Sequence, residues 1–119
     1  MNHREAIKDI IHQLPECRND FRNIQTASSA SSVIRLLTSK IRENIKLENR
    51  TQLFRSLTEV NRLYMLGDLA LKNAIENTFV YSLDMLTFSC ESGIRKVIFS
   101  KLSQPLQLIY LKQVYKSGL

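Results

Sequence analysis

The chain has 119 residues, with 17 Lys and Arg against 11 Asp and Glu, a formal net charge of +6 at neutral pH. That length suits one domain, residues 1–119, able to bury roughly two-thirds of its unfolded surface without disulfides or metals. Only 3 Gly, 2 Pro, 2 Cys and 2 His occur, with no Gly-rich phosphate loop, no GxSxG turn and no paired CxxC, so the parts of nucleotide enzymes, serine hydrolases and zinc sites are missing and no cofactor is expected.

The opening residues, MNHREAIKDIIHQL, place Glu5 and Asp9 where a secretory signal would be apolar, and no apolar run is long enough for a bilayer. A cytoplasmic protein without membrane insertion is expected, its Cys17 and Cys90 reduced and packed as small apolar groups.

Ile7, Ile10, Ile11 and Leu14 stand at i, i+3, i+4 and i+7, which predicts a first helix ending at Leu14. Pro15 breaks it and opens a short second helix running to about Gln25, with Cys17, Phe21 and Ile24 at helical spacing. Residues 27–32 are a Ser/Ala-rich connection, read as mobile, in which Ser31 or Ser32 caps a third helix carrying Ile34, Leu37, Ile41 and Ile45. Asn49, with Gln52 three residues on, suggests a capping arrangement for a fourth helix bearing Leu53, Leu57, Val60 and Tyr64.

At Gly67 and Asp68 one helix stops and another starts. Gly67 is read as the left-handed terminator and Asp68 as the acceptor that caps the next helix. That next helix, near 68–91, is apolar around most of its circumference, as befits the buried middle of a bundle. Gly93 marks a further break, followed by a short helix with Ile94, Val97, Ile98 and Leu102. Pro105 begins the last, whose buried face is Leu106, Ile109, Tyr110 and Val114. The fold class is all-α: a compact array of five to six helices in antiparallel pairs, without internal repeats.

One stretch is more specific than the rest. Tyr64-x-x-Gly67, then Lys72-Asn73-Ala74-Ile75-Glu76-Asn77, then Phe79-Val80-Tyr81-Ser82 covers about 20 of the 119 residues. It resembles the central motif of a family of uncharacterised small bacterial proteins, a domain of unknown function. The resemblance implies a soluble, all-helical bacterial protein with no established activity.

Within that motif Asn73, Asn77 and Asp84 fall roughly on one line, with Lys72 and Glu76 beside it as an i,i+4 pair. The structural reading is a polar network in which Lys72, Arg62 or Tyr64 partners Glu76. A second reading is a partner-recognition surface exposing Asn73, Asn77 and Tyr81. A third makes Glu76 or Asp84 a general acid or base with a raised pKa. Charge offers a further candidate: Arg95, Lys96, Lys101, Lys112 and Lys116 have no acid among them, a basic patch for nucleic acid on the last two helices. Glu5, Asp9 and His12 share a helix face as the best metal set, although a solvated face explains them better. The reading that follows is a non-catalytic protein-interaction or regulatory module with a protein partner. The alternatives are an immunity-like protein that neutralises its partner, a nucleic-acid binder, and, last, an acid/base enzyme; self-association stays open.

Overall fold

Asn2 opens the first helix. Its side chain accepts from the Glu5 N–H at 2.9 Å while Glu5 reaches back to the Asn2 N–H at 3.1 Å, so two free donors of the helix start are satisfied reciprocally. The computed structural model describes residues 1–23, 29–87 and 92–117, with side chains for all of these except 92 and 115–117. Helix α1 is His3–Gln13 with Leu14 as its C-cap, and Pro15–Cys17 forms a 3-10 turn leading into α2, Arg18–Arg22. The expected short helix after Pro15 is therefore two pieces, and its far end at Ile24 and Gln25 lies outside the described residues, as do 27 and 28 of the expected connection 27–32, whose residues 30–32 belong to the next helix instead.

Helix α3 is Ala30–Lys46, capped by Ser29 rather than by Ser31 or Ser32. Ser29 and Ser32 exchange side chain to backbone bonds at 2.7 and 3.2 Å, so the serine expected to precede the helix instead closes its first turn from inside. The turn into α4, Arg50–Leu66, passes through Glu48 at φ 55°, with the Asn49 N–H donating to the Asn44 carbonyl at 2.9 Å and the Glu48 N–H to Ile45 at 3.2 Å. This left-handed residue closes the carbonyl end of α3. Asn49 then caps α4 by accepting from the Gln52 N–H at 3.2 Å, but Gln52 does not return the bond and its Oε1 has no partner.

Gly67 does end α4, though not by a left-handed turn. Its φ and ψ are −72° and 155°, extended backbone open to any residue. What the position lacks is room: a Cβ there would lie 2.5 Å from the Leu63 carbonyl oxygen and 2.8 Å from the Leu71 Cβ. The chain crosses too close to itself for a side chain. Asp68 caps α5, Leu69–Ala74, accepting from the Leu71 N–H at 2.9 Å, and its own N–H donates to the Met1 carbonyl at 2.7 Å.

Where one long helix is expected over 68–91, the described part is three segments: α5, a π-helical stretch Ile75–Val80, and α6, Leu83–Leu86; residues 88–91 lie outside the described residues. Leu71, Ile75, Phe79 and Leu83 recur at strict intervals of four and all are buried. In an α-helix each such step overshoots a full turn by roughly 40°, so the three steps would carry the row about 120° around the axis. The wider π turn absorbs the drift, and all four stay on one face. Thus the apparent all-round apolarity is a single face with a register change, and Leu69 and Met85 are exposed.

Helix α7 is Ser92–Lys101 and α8 is Gln104–Ser117. Gly93 lies inside α7, with open space where a Cβ would be, so it is not a break. Among the described residues there are eight α-helices and no strand. Their burial centres on α3, which packs against α4, α5, the π segment and α1, while α7 covers α4 and α8 covers the π segment. Buried in common are Phe21, Phe79, Ile7, Ile34, Leu57 and Leu63, among others. The Cα radius of gyration, 13.7 Å, matches the roughly 13.5 Å of a compact chain of this length.

Candidate functional site

The motif acids are held by tyrosines from neighbouring helices. Tyr64 of α4 donates its hydroxyl to Glu76 Oε2 at 2.7 Å, and Tyr110 of α8 donates to Asp84 Oδ1 at 2.6 Å. Burial, then the adjacent carboxylate, pushes the Tyr64 hydroxyl up to about 12 and raises Tyr110 in the same direction. Lys72 makes no ion pair with Glu76 among the described residues, and Arg62 is engaged elsewhere, 3.0 Å from Asp9. Of the three partners the sequence offers for Glu76, tyrosine is the one used. The widened turn matters here as well: the Tyr81 N–H reaches the Glu76 carbonyl at 3.3 Å, which also accepts from Gln113 Nε2 at 3.4 Å.

Asn73, Asn77 and Tyr81 of the motif point outward, as does Met85 beyond it. Asn73 and Asn77 are exposed, Tyr81 is 75 % exposed and Met85 is 81 % exposed. They stand four residues apart along α5, the π segment and α6, which gives a line of two amides and two large apolar groups. Asp84 is set beside it, joined to Arg95 at 3.6 Å. The line runs into a cleft of about 800 Å³, lined by Met85, Leu86 and Ile94 together with Ile45 and Leu53. Arg42 and Lys46, from the last turns of α3, and Arg50, which opens α4, stand around it. All three cations are exposed and none has a carboxylate within ion-pair distance among the described residues.

The expected basic patch is less free. Arg95 is committed to Asp84, Lys101 lies 5.1 Å from the Phe54 ring centre, and only Lys96 and Lys112 remain as unattached exposed cations; the Lys116 side chain lies outside the described residues. The metal set is dispersed, because Glu5 caps α1 and Asp9 pairs with Arg62. Among the described residues no group of His, Cys, Asp and Glu could hold a metal ion, and no helix is long and apolar enough to cross a membrane. Cys17 is buried and its thiol pushed up to about 11 by that burial, a packed group rather than a nucleophile. Cys90 lies outside the described residues.

One acid escapes a reading of the sequence. Glu59 is 1 % exposed, sits on the apolar face of α4 beside Leu57 and Val60, and neither carboxylate oxygen has a donor. Burial, with Asp9 as its carboxyl neighbour, pushes it up to about 8, with Arg62 opposing. Two ionised carboxylates cannot donate to one another, whereas a proton on Glu59 turns the contact into a hydrogen bond to Asp9. Burial and the Asp9 carboxyl thus both favour the protonated form of Glu59. The sequence signal was an acid in the midst of the Leu53, Leu57, Val60, Leu63 row.

The chain belongs to the family described as Domain of unknown function (DUF7674), whose model matches residues 7–116. No curated protein and no solved structure matches it.

Proposed function

We propose that the chain is a non-catalytic protein-interaction module of the bacterial cytoplasm, binding a protein partner through the line Asn73, Asn77, Tyr81 and Met85. The observation that carries this reading is the exposure of Tyr81 and Met85 at 75 % and 81 %, side chains of the kind that anchor interfaces, on the same face as two free amides. The acid/base alternative has less support, since Glu76 and Asp84 each already accept a tyrosine hydroxyl. The nucleic-acid alternative is weakened by the commitment of Arg95 and Lys101. An immunity-like or regulatory role is a special case of the same reading, decided by what the partner is.

A photo-crosslinking side chain in place of Tyr81, in cells that make the protein naturally, should trap one discrete partner. The same group in place of exposed Lys8 on α1 should trap none. Equal labelling from both positions, or none from Tyr81, would remove the proposal. If the trapped partner is a toxic enzyme inhibited by the chain, the immunity-like form is the right one.

A further inference from the structure

We infer that the cleft between the α3–α4 corner and α6–α7 receives an acidic amphipathic segment of a partner protein. The inference rests on the interaction reading and names the chemistry of its partner. The cleft has two unlike parts. Its apolar part is Ile45, Leu53, Leu86, Ile94 and, at the end of the exposed line, Met85; its basic part is Arg42, Lys46 and Arg50.

Three cations stand together at the cleft without the ion pairs that several other cations make. Lys40 has Asp20 at 2.8 Å and Glu43 at 3.5 Å, Arg62 has Asp9 at 3.0 Å, and Arg95 has Asp84 at 3.6 Å. Arg42, Lys46 and Arg50 have no such partner among the described residues, and Glu48 is the one acid that the described lining sets against them. Basic side chains in the last turn of a helix also favour its carbonyl end. That end is already closed by the Glu48 and Asn49 N–H groups, however, and Arg50 belongs to the start of the next helix rather than to the end of α3.

An occupant must satisfy both parts at once. A free phosphate would leave the apolar wall unmatched. Single-stranded nucleic acid binds by stacking bases on aromatic rings as well as by charge, and no Phe or Tyr lines the cleft among the described residues. A second copy would bring one net charge of +6 against another. A segment with apolar side chains on one face and carboxylates on the other matches both parts, and about 800 Å³ accommodates several apolar anchors.

The test uses the full chain and a phage-displayed library of random peptides. The peptides enriched should be acidic, with apolar residues at helical spacing. A selected peptide, synthesised with a fluorophore, should bind saturably and lose about tenfold or more in affinity to the Arg42→Glu/Lys46→Glu variant and, separately, to Met85→Asp. All three residues are exposed, so the melting temperature of each variant serves as a control on folding. Enriched peptides that are neutral or basic, equal binding to the charge-reversed variant, no enrichment at all, or displacement of the peptide by a short single-stranded RNA that binds more tightly would each overturn the cleft assignment. A partner still trapped at Tyr81 in the Arg42→Glu/Lys46→Glu background would leave the interaction module standing without the acidic cleft ligand. Loss of trapping in the unaltered chain would end both.

Discussion

The Tyr64 hydroxyl donates to Glu76 at 2.7 Å, joining the last turn of α4 to the π segment and closing the motif on itself. The bond is only partly buried, so its worth is that of an ordinary charged hydrogen bond screened by water. Tyr64→Phe should lower stability by roughly 1 kcal/mol, and a double-mutant cycle of Tyr64→Phe with Glu76→Ala should return a coupling of similar size. The matching cycle of Lys72→Met with Glu76→Ala should return nothing measurable by urea denaturation. A larger coupling to Lys72 would restore the ion pair that the sequence suggested.

Glu59 makes stability depend on pH in a direction opposite to an ordinary acid. Its folded value, about 8, lies above its unfolded one near 4.5, so the folded chain holds a proton that the unfolded chain has released. Its stabilising effect is complete below the unfolded value and is lost as pH rises through the folded value. Stability should therefore fall between about pH 4.5 and pH 8, by a few kcal/mol in order of magnitude. Glu59→Gln keeps the shape and removes the titration. It should melt close to the parent at pH 5 and well above it at pH 8.5; parallel melting curves across that range would show that Glu59 does not titrate within it.

Gly67 is held by space. Gly67→Ala should cost roughly 1 to 3 kcal/mol, since the new Cβ meets the Leu63 carbonyl at 2.5 Å and that atom belongs to the helix backbone. A substitution that merely disturbed a left-handed turn would be rescued by Asn, which tolerates such turns. Gly67→Asn should instead be at least as harmful as Gly67→Ala, read by thermal unfolding.

Glu48 is the reverse case, a residue with a side chain in left-handed backbone at φ 55°. Glycine is at ease there, so Glu48→Gly should stabilise by about 0.5 to 1 kcal/mol despite the added freedom of the unfolded chain. It also removes the acid that shares the cleft lining with Arg42 and Lys46, so a selected acidic peptide should bind more tightly. A lower melting temperature would mean that the glutamate side chain is needed at the corner.

The all-helical class, the end of α1 at Leu14, the Asn49 and Asp68 caps and the buried row Ile75, Phe79, Leu83 and Leu86 were readable from the sequence, because capping chemistry and apolar spacing are local. So was membership of a family described as a domain of unknown function. Other features depend on residues far apart in the chain. The π segment reconciles a four-residue apolar repeat with a core that lies on one side, and that core is built largely by α3. Gly67 is required by its distance to Leu63 and Leu71 and not by its own torsion angles. Glu76 takes a tyrosine 12 residues back rather than the lysine four residues back, since helix packing sets which side chain arrives at hydrogen-bonding distance. The cations Arg42, Lys46 and Arg50 are ordinary helix-surface residues in sequence; only the packing of the chain gathers them into one cleft with Met85, Leu86 and Ile94.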